Sequence, residues 1–538
     1  MRKSALRPLL GLLVAAFVTT ACSRKDPPLA ADGSAAKILL FGNGAEPQDL
    51  DPQTVSGVPE NKLINAFFEG LVSYGNADTE TVGGVAERWD ISPDGLVYTF
   101  HLRANAKWSN GDPVTATDFV RSYQRILTPA LGAEYAYKFY PVAGAEDFNK
   151  GRLTDFSQVG FRALDERTLE IRLHHRAPYL LEAMKHYAWF PVHIPTLEKF
   201  DGLTRRGSAW TRAENLVGNG PYLIKSWRPN QRIVAVRSPT YWDRAAVQID
   251  EIHFFPTENL DTEERMFRTG QLHKTYELPT AKIDVYQRDF PESYRSDPYY
   301  GSYYFRFNVT RKPLDDVRVR RALSLAIDRE SLVRNVVRGG QQPAYGLTPP
   351  TPRFTARAKL TGDIAEAKRL LAEAGYPGGK GFPRIELLYN TQDNHRRVCE
   401  ALQEMWRQNL GIEIGLLNQE WKVYLRSMDQ LDYDMARSGW IGDYYDPNSF
   451  YDTFITDGGN NRTGWSNARY DALLAATGSA PNEAARMELY QQMEEIITRE
   501  LPIMPLYFYR KIFALSPKVH WPANPLDNQN WKSVHFKE

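Results

Sequence analysis

The sequence predicts a multidomain α/β protein, and three observations carry that expectation. The chain has 538 residues, more than one hydrophobic core normally organises. Its hydrophobic content of 42% and charged content of 24% are those of a globular protein. Its C-terminal half alternates strand-like and helix-like segments, which argues for a lobe built on a largely parallel sheet.

The elements follow in order. "AAKILLFGNG" begins as a strand and breaks at Gly42. "ENKLINAFFEGLV" places Leu63, Ile64, Phe67, Phe68 and Leu71 on one helical stripe. "DGLVYTFHLR" and "RTLEIRLHH" alternate as strands, and "TATDFVRSYQRIL" between them is a helix with a Thr/Asp start. "GNGPYLIKSWRPNQRIVAVR" is two strands turning at Pro229-Asn230. "TGDIAEAKRLLAEAG" is a helix capped by Thr361 and stopped by Gly375. "PRIELLYN", "NHRRVCEALQEMWRQNLG", "IEIGLLNQE" and "LDYDMARSGW" then alternate strand, helix, strand, strand. A late helix, "NEAARMELYQQMEEIITRE", precedes the strand "MPLYFYRKIFAL".

At the N-terminus, Arg2, Lys3 and Arg7 precede an apolar run from Leu9 to Ala21. That run is shorter than the ~20 residues a membrane span needs and suits a secretory signal, residues 1–21. It ends in "TTAC", which resembles a bacterial lipoprotein signal with Cys22 as the lipidated first residue, although Thr19 stands where leucine is usual. Residues 22–37 then read as a tether. Cys399 is the only other cysteine, and its helical neighbours make it a buried structural thiol.

Enzymatic signatures are missing. The chain has no H-E-x-x-H, C-x-x-C or G-x-S-x-G. "GYPGGKGF" resembles a phosphate loop only superficially, because Lys380 is followed by Gly381. His174 and His175 have no metal-ligand partner at suitable spacing. The formal net charge of +1 gives no pull toward nucleic acid. An exported, tethered, aromatic-rich chain of this kind is expected to bind a solute, with an exported hydrolase as the rival class. No cofactor or metal is expected.

Several ordered stretches go further: "EPQDLDPQTVSGVPENKLINAFFEGLVSY", "AERWDISPDGLVYTFHLRANAKWSNGDPVTATDFVRSYQRIL", "VGNGPYLIKSW", "SPTYWD", "DDVRVRRALSLAIDRESLV", "LLYNT", "NQEWKVYL" and "SGWIGDYYDP". From about residue 40 to the end, the chain resembles the periplasmic oligopeptide-binding proteins of bacterial peptide ABC importers, in solute-binding protein family 5. The resemblance implies a periplasmic-binding-protein-like clam-shell of type II, with two main lobes and an inserted domain. Domain I would comprise residues 38–68, 195–297 and 511–538, domain II residues 69–194, and domain III residues 298–510. The lobe connections would fall near "YRSDPYY" and "YFYRKIF". The implied partners are short peptides, the permease subunits of the importer and a membrane reached through the lipid on Cys22, with the protein itself a monomer. A murein peptide, dipeptide, nickel chelate or other small solute is the alternative ligand.

The same resemblance assigns a site. Asp443 would pair with the peptide α-ammonium, because an unpaired buried charge is costly. Arg437 and His395 would serve the C-terminal carboxylate of peptides of different length, the guanidinium fork suiting a carboxylate. A further family lysine falls within "LVRNVVRGG", where only Arg334 or Arg338 could substitute. Ser56, Gly57 and Val58 on one side, and Gly439 and Ile441 on the other, would pair with peptide backbone. Tyr135, Glu277, Asn390, Trp421, Trp440 and Tyr509 would line the cleft. Asp446 and Pro447, in "DPNSF", read as a turn opening a helix. Met428 and Asp429 replace a basic pair, and Glu277 stands at an asparagine position; these departures suggest a pocket tolerant of basic side chains.

Overall fold

The strand that opens the body, Ile38–Gly42, finds its partner far along the chain. A computed structural model describes residues 36–75 and 80–537; the signal segment, Cys22 and almost all of the tether lie outside them. Ile38–Gly42 runs parallel to Glu251–Phe255, which continues antiparallel into Arg232–Arg237 and Tyr222–Arg228. The last two strands turn at Asn230, whose φ is 57°. The end of the chain returns to this sheet, with Trp521 stacked on Phe41 at 5.6 Å and Trp531 edge-on at 5.6 Å. Helix Val58–Phe67 packs beside it. The glycines of "GNGPY" allow that approach: a Cβ on Gly218 would lie 2.1 Å from the Phe67 carbonyl oxygen.

A second sheet is wholly antiparallel, in the order Ala86–Ile91, Val97–Leu102, Thr168–Arg172, Phe161–Asp165. Helix Ala116–Leu127 covers it. Thr115 and Asp118 form a reciprocal capping box at its start, satisfying amide donors that a helix end leaves open. Phe100, Phe119, Tyr123, Phe139 and Trp189 fill the space between, all fully buried.

The third sheet has six strands, ordered Gln342–Pro343, Ile503–Ala514, Tyr294–Phe307, Met435–Ile441, Ile385–Asn390, Ile414–Gln419. It is mixed, which corrects the expectation of a largely parallel sheet. Only Met435–Ile441, Ile385–Asn390 and Ile414–Gln419 are mutually parallel. The other half is antiparallel because the long strands Tyr294–Phe307 and Ile503–Ala514 pair with each other over most of their length. Those two strands contain "YRSDPYY" and "YFYRKIF". At their far end, Leu278 and Thr275 donate backbone hydrogen bonds to Ile512 and Ala514, tying them to the 222–280 region.

Helix Ile364–Glu373 is capped by Asp363, which accepts from the Glu366 amide at 3.0 Å, rather than by Thr361. Asp is among the strongest N-caps and sits one position before the helix, whereas Thr361 is too far upstream to reach. Gly375 does end the segment, with φ of +101°. Cys399 is buried in helix Asp393–Leu410.

Candidate functional site

A cavity of about 240 Å³ lies where the three sheet regions meet. Every cleft residue anticipated above lines it: Ser56, Gly57, Val58, Tyr135, Glu277, Asn390, His395, Trp421, Arg437, Gly439, Trp440, Ile441, Asp443 and Tyr509. Arg334 and Arg338 do not. Both are exposed, Arg338 pairs with Asp284, and Val337 faces the cavity between them. In this arrangement the turn presents Val337, an apolar side chain, to the cavity.

The strand Met435–Ile441 explains why its end can serve a ligand. One edge pairs with Tyr294–Phe307 along the whole strand. The other pairs with Ile385–Asn390 only at Met435 and Ala436. Beyond Ala436 that second edge has no strand partner among the described residues. Gly442 donates to the Tyr300 carbonyl at 2.8 Å on the paired side, so by alternation Gly439 and Ile441 direct N–H and C=O to the open edge. An open edge is a template for an added strand. Glycine at 439 lets Tyr509 approach the strand, because a Cβ there would lie 2.6 Å from the Tyr509 hydroxyl. Across the cavity, Gly57 is extended, with φ of 161° and ψ of 155°, just before helix Val58–Phe67. A Cβ on Gly57 would lie 2.9 Å from the Trp421 ring.

At one end of this strand sits Arg437. Its Nη2 donates to the Tyr509 hydroxyl at 2.7 Å and its Nη1 to Asn390 Oδ1 at 3.3 Å, while the guanidinium lies 4.8 Å over the Tyr303 ring. Its Nε is buried without a partner, and no carboxylate among the described residues pairs with it. His395 is buried beside it and hydrogen-bonded to the Tyr303 hydroxyl at 3.3 Å. Burial first, and the charge of Arg437 second, push its pKa well down, so it faces the cavity as neutral imidazole.

At the other end Asp443 is already paired. Lys138 Nζ lies 2.6 Å from Asp443 Oδ2 and 3.7 Å from Asp452 Oδ2. The rings of Tyr135, Tyr137 and Tyr444 surround the same ammonium at 5.2–5.4 Å. His186 Nε2 lies 3.4 Å from Asp443 Oδ1, with its pKa pushed down to about 4 mainly by burial. Burial raises Asp452 to about 6. Trp440 closes this end, donating its indole N–H to the Ser449 carbonyl at 2.6 Å. Asp446 faces away from the cavity. It takes both Nη groups of Arg486, at 2.9 and 2.8 Å, and the Asn448 amide at 3.0 Å.

The acids named for a basic side-chain pocket both have partners within the protein. Glu277 accepts from Gln392 Nε2 and Asn394 Nδ2, both at 3.0 Å. Asp429 pairs with Arg462 at 2.7 Å. Arg462 also reaches Glu134 at 2.7 Å and Ser56 Oγ at 3.0 Å, so one side chain ties three distant chain segments across the cavity. Trp421 donates to Glu60 Oε1 at 3.1 Å in another such contact. Sequence reasoning missed Lys138, His186, Asp452 and Arg462. A lysine inside the aromatic run "EYAYKFYP" was the one available signal, since a solvated lysine has no need of tyrosines on both sides.

The profile of the bacterial extracellular solute-binding proteins, family 5, matches residues 80–462. The chain belongs to that family. It is therefore a solute-binding protein of a transport system, not an enzyme. It is 36% identical to the periplasmic oligopeptide-binding protein OppA of Salmonella typhimurium, covering 98% of this chain and 97% of the relative. Its structure is similar to that of Haemophilus influenzae OppA in complex with the peptide RPPGFSPFR, with a TM-score of 0.89, 32% identity and coverage of 93% and 99%. Against the unliganded open form of MppA, a periplasmic murein tripeptide-binding protein, the TM-score is 0.62 at 33% identity, covering 93% and 97%. The lobes here thus stand in an arrangement like that of the peptide-bound relative and unlike the open form.

Proposed function

We propose that this chain captures short oligopeptides in the cavity and delivers them to an ABC importer. The observation that carries the reading is Arg437, a guanidinium lining the cavity whose hydrogen bonds go only to neutral oxygens. A buried cation without a counter-ion is costly, and a ligand carboxylate supplies one with two parallel hydrogen bonds. The ligand lies as an added strand between Gly57 and the open edge at Gly439 and Ile441, where main-chain pairing is indifferent to sequence. Its amino end lies at Asp443, and His395 offers a neutral ring N–H to the carboxylate of longer peptides. Tyr135, Asn390, Trp421, Trp440 and Tyr509 wall the cleft, and water fills the space around each side chain. The names of the relatives, oligopeptide-binding and murein peptide-binding, point to the same ligand class.

The chain divides, in this reading, into the three domains given above. Residues 38–68, 195–297 and 511–538 carry the first sheet, 69–194 the antiparallel second, and 298–510 most of the third. Closure is a hinge motion at the two long paired strands. Processing at Cys22 leaves a lipid-anchored protein in the periplasm or on the cell surface, and peptide-loaded protein docks on the permease.

Native mass spectrometry of protein purified from cells tests the assignment. Co-purified ligands of several masses, exchangeable with added tripeptides, are expected. A single non-peptide ligand that tripeptides fail to displace would overturn it.

A further inference from the structure

The amino end of the cavity carries a built-in counter-ion. Lys138 and Asp443 form an ion pair of 2.6 Å whose side chains are 1% and 10% exposed. The lysine is held in place by three tyrosine rings and by the second carboxylate, Asp452, at 3.7 Å. Backing comes from buried polar contacts: Asp452 Oδ2 accepts from the Tyr444 hydroxyl at 3.0 Å, and the Asp443 amide donates to Ser449 Oγ at 2.7 Å. The pair is thus part of a packed wall, while Asp443 also lines the cavity next to Tyr135, His186 and Tyr187.

A lone buried carboxylate at this place would demand a cation from every ligand. A ligand with a neutral amino end would leave it buried and uncompensated, and would be rejected by on the order of 10²–10⁴ in affinity. Lys138 lowers that penalty, because Asp443 has a cation at 2.6 Å before any ligand arrives. It also makes an incoming ammonium share the carboxylate: Oδ2 is taken, and Oδ1 remains, facing the neutral ring of His186 at 3.4 Å. The gain from a ligand's positive charge is correspondingly reduced.

We infer that Lys138 is a specificity-determining residue that opens this site to peptides whose amino end bears no charge, N-acylated peptides in particular. This rests on the peptide-capture reading and concerns only one end of it. At the Arg437 end no internal carboxylate plays the equivalent part among the described residues, so the demand for a ligand carboxylate stays.

Titration calorimetry on ligand-stripped full-length protein tests the inference. Trialanine, trileucine and trilysine are each measured as the free amine and as the N-acetyl form, against wild type and Lys138→Met. The expected wild-type penalty for acetylation is about tenfold or less, widening to about a hundredfold or more in Lys138→Met. A wild-type penalty above about thirtyfold, or a penalty unchanged by the substitution, overturns the inference while leaving peptide capture intact. Binding of neither form of any peptide overturns both. Should Lys138→Met fail to fold, the wild-type ratio decides alone, and Lys138→Gln supplies the second variant.

Discussion

At one end of the cavity Asp443 sits 2.6 Å from Lys138, its charge balanced from within. At the other end Arg437 leans on Tyr509 and Asn390, both neutral, with no acid among the described residues to answer it. Arg437 lies within a seven-residue strand and Asp443 two residues beyond its end, yet only the Arg437 end lacks an internal counter-ion among the described residues. The difference teaches where discrimination resides. A site that leaves a buried charge unpaired selects for the ligand group that pairs it, and a site that has paired the charge gives that selectivity up.

The largest effect belongs to the unbalanced end. Arg437→Ala is expected to weaken binding by about 3–5 kcal/mol, two to four decades in Kd, for the peptide length whose carboxylate reaches it. C-terminal amidation of the same peptide reproduces most of that loss in wild type and adds little in the variant. An equal loss for all lengths in calorimetry would make Arg437 a structural residue instead.

Asp443→Ala is expected to cost less, about 2–3 kcal/mol for free-amine peptides. The reason is that Lys138 and Asp452 remain behind as a neutral pair. N-acetyl peptides lose less than their free-amine forms. A loss as great as that of Arg437→Ala would erase the contrast between the ends.

A pH dependence is expected at the Asp443 end. Asp452 is raised to about 6, by burial first, with Lys138 opposing and Asp443 adding to the shift. A ligand ammonium on Asp443 lowers that pKa, so binding expels a proton. Affinity for free-amine peptides therefore climbs as pH rises through about 6 and levels off above it, by about tenfold in all. Asp452→Asn flattens the profile. His395, already neutral, adds no step of its own above its lowered pKa.

The smallest effect is shared. Glu277→Ala removes the two side-chain amide hydrogen bonds from Gln392 and Asn394. These favour the closed arrangement without touching either end, so all peptides should weaken alike, by about 1 kcal/mol. A loss confined to basic peptides would instead support the basic-pocket reading of Glu277.

Much of this architecture was legible because it is local. The Thr115 cap, the Asn230 turn and the alternating strands write themselves into neighbouring residues. The mixed sheet was not legible, because the direction in which Ile503–Ala514 meets Tyr294–Phe307 depends on a pairing across two hundred residues of chain. The cleft residues came together through family resemblance at Ser56, Arg437 and Asp443, which spacing alone would not have joined. Lys138 escaped for the converse reason. The resemblance assigned it no role, and its partners Asp443 and Asp452 lie in another region of the sequence. Glu277 looked like a free acid because side-chain amides such as those of Gln392 and Asn394 leave no charge pattern to read.

The central claim, capture of a peptide by a cavity whose Arg437 end is the demanding one, is tested most directly by a single calorimetric comparison on ligand-stripped wild-type protein. One tripeptide is titrated unmodified, N-acetylated and C-amidated. The expected order of affinity is unmodified, then N-acetylated within about tenfold, then C-amidated lower by about two decades or more. Equal affinities for all three, or a greater loss on acetylation than on amidation, would contradict it.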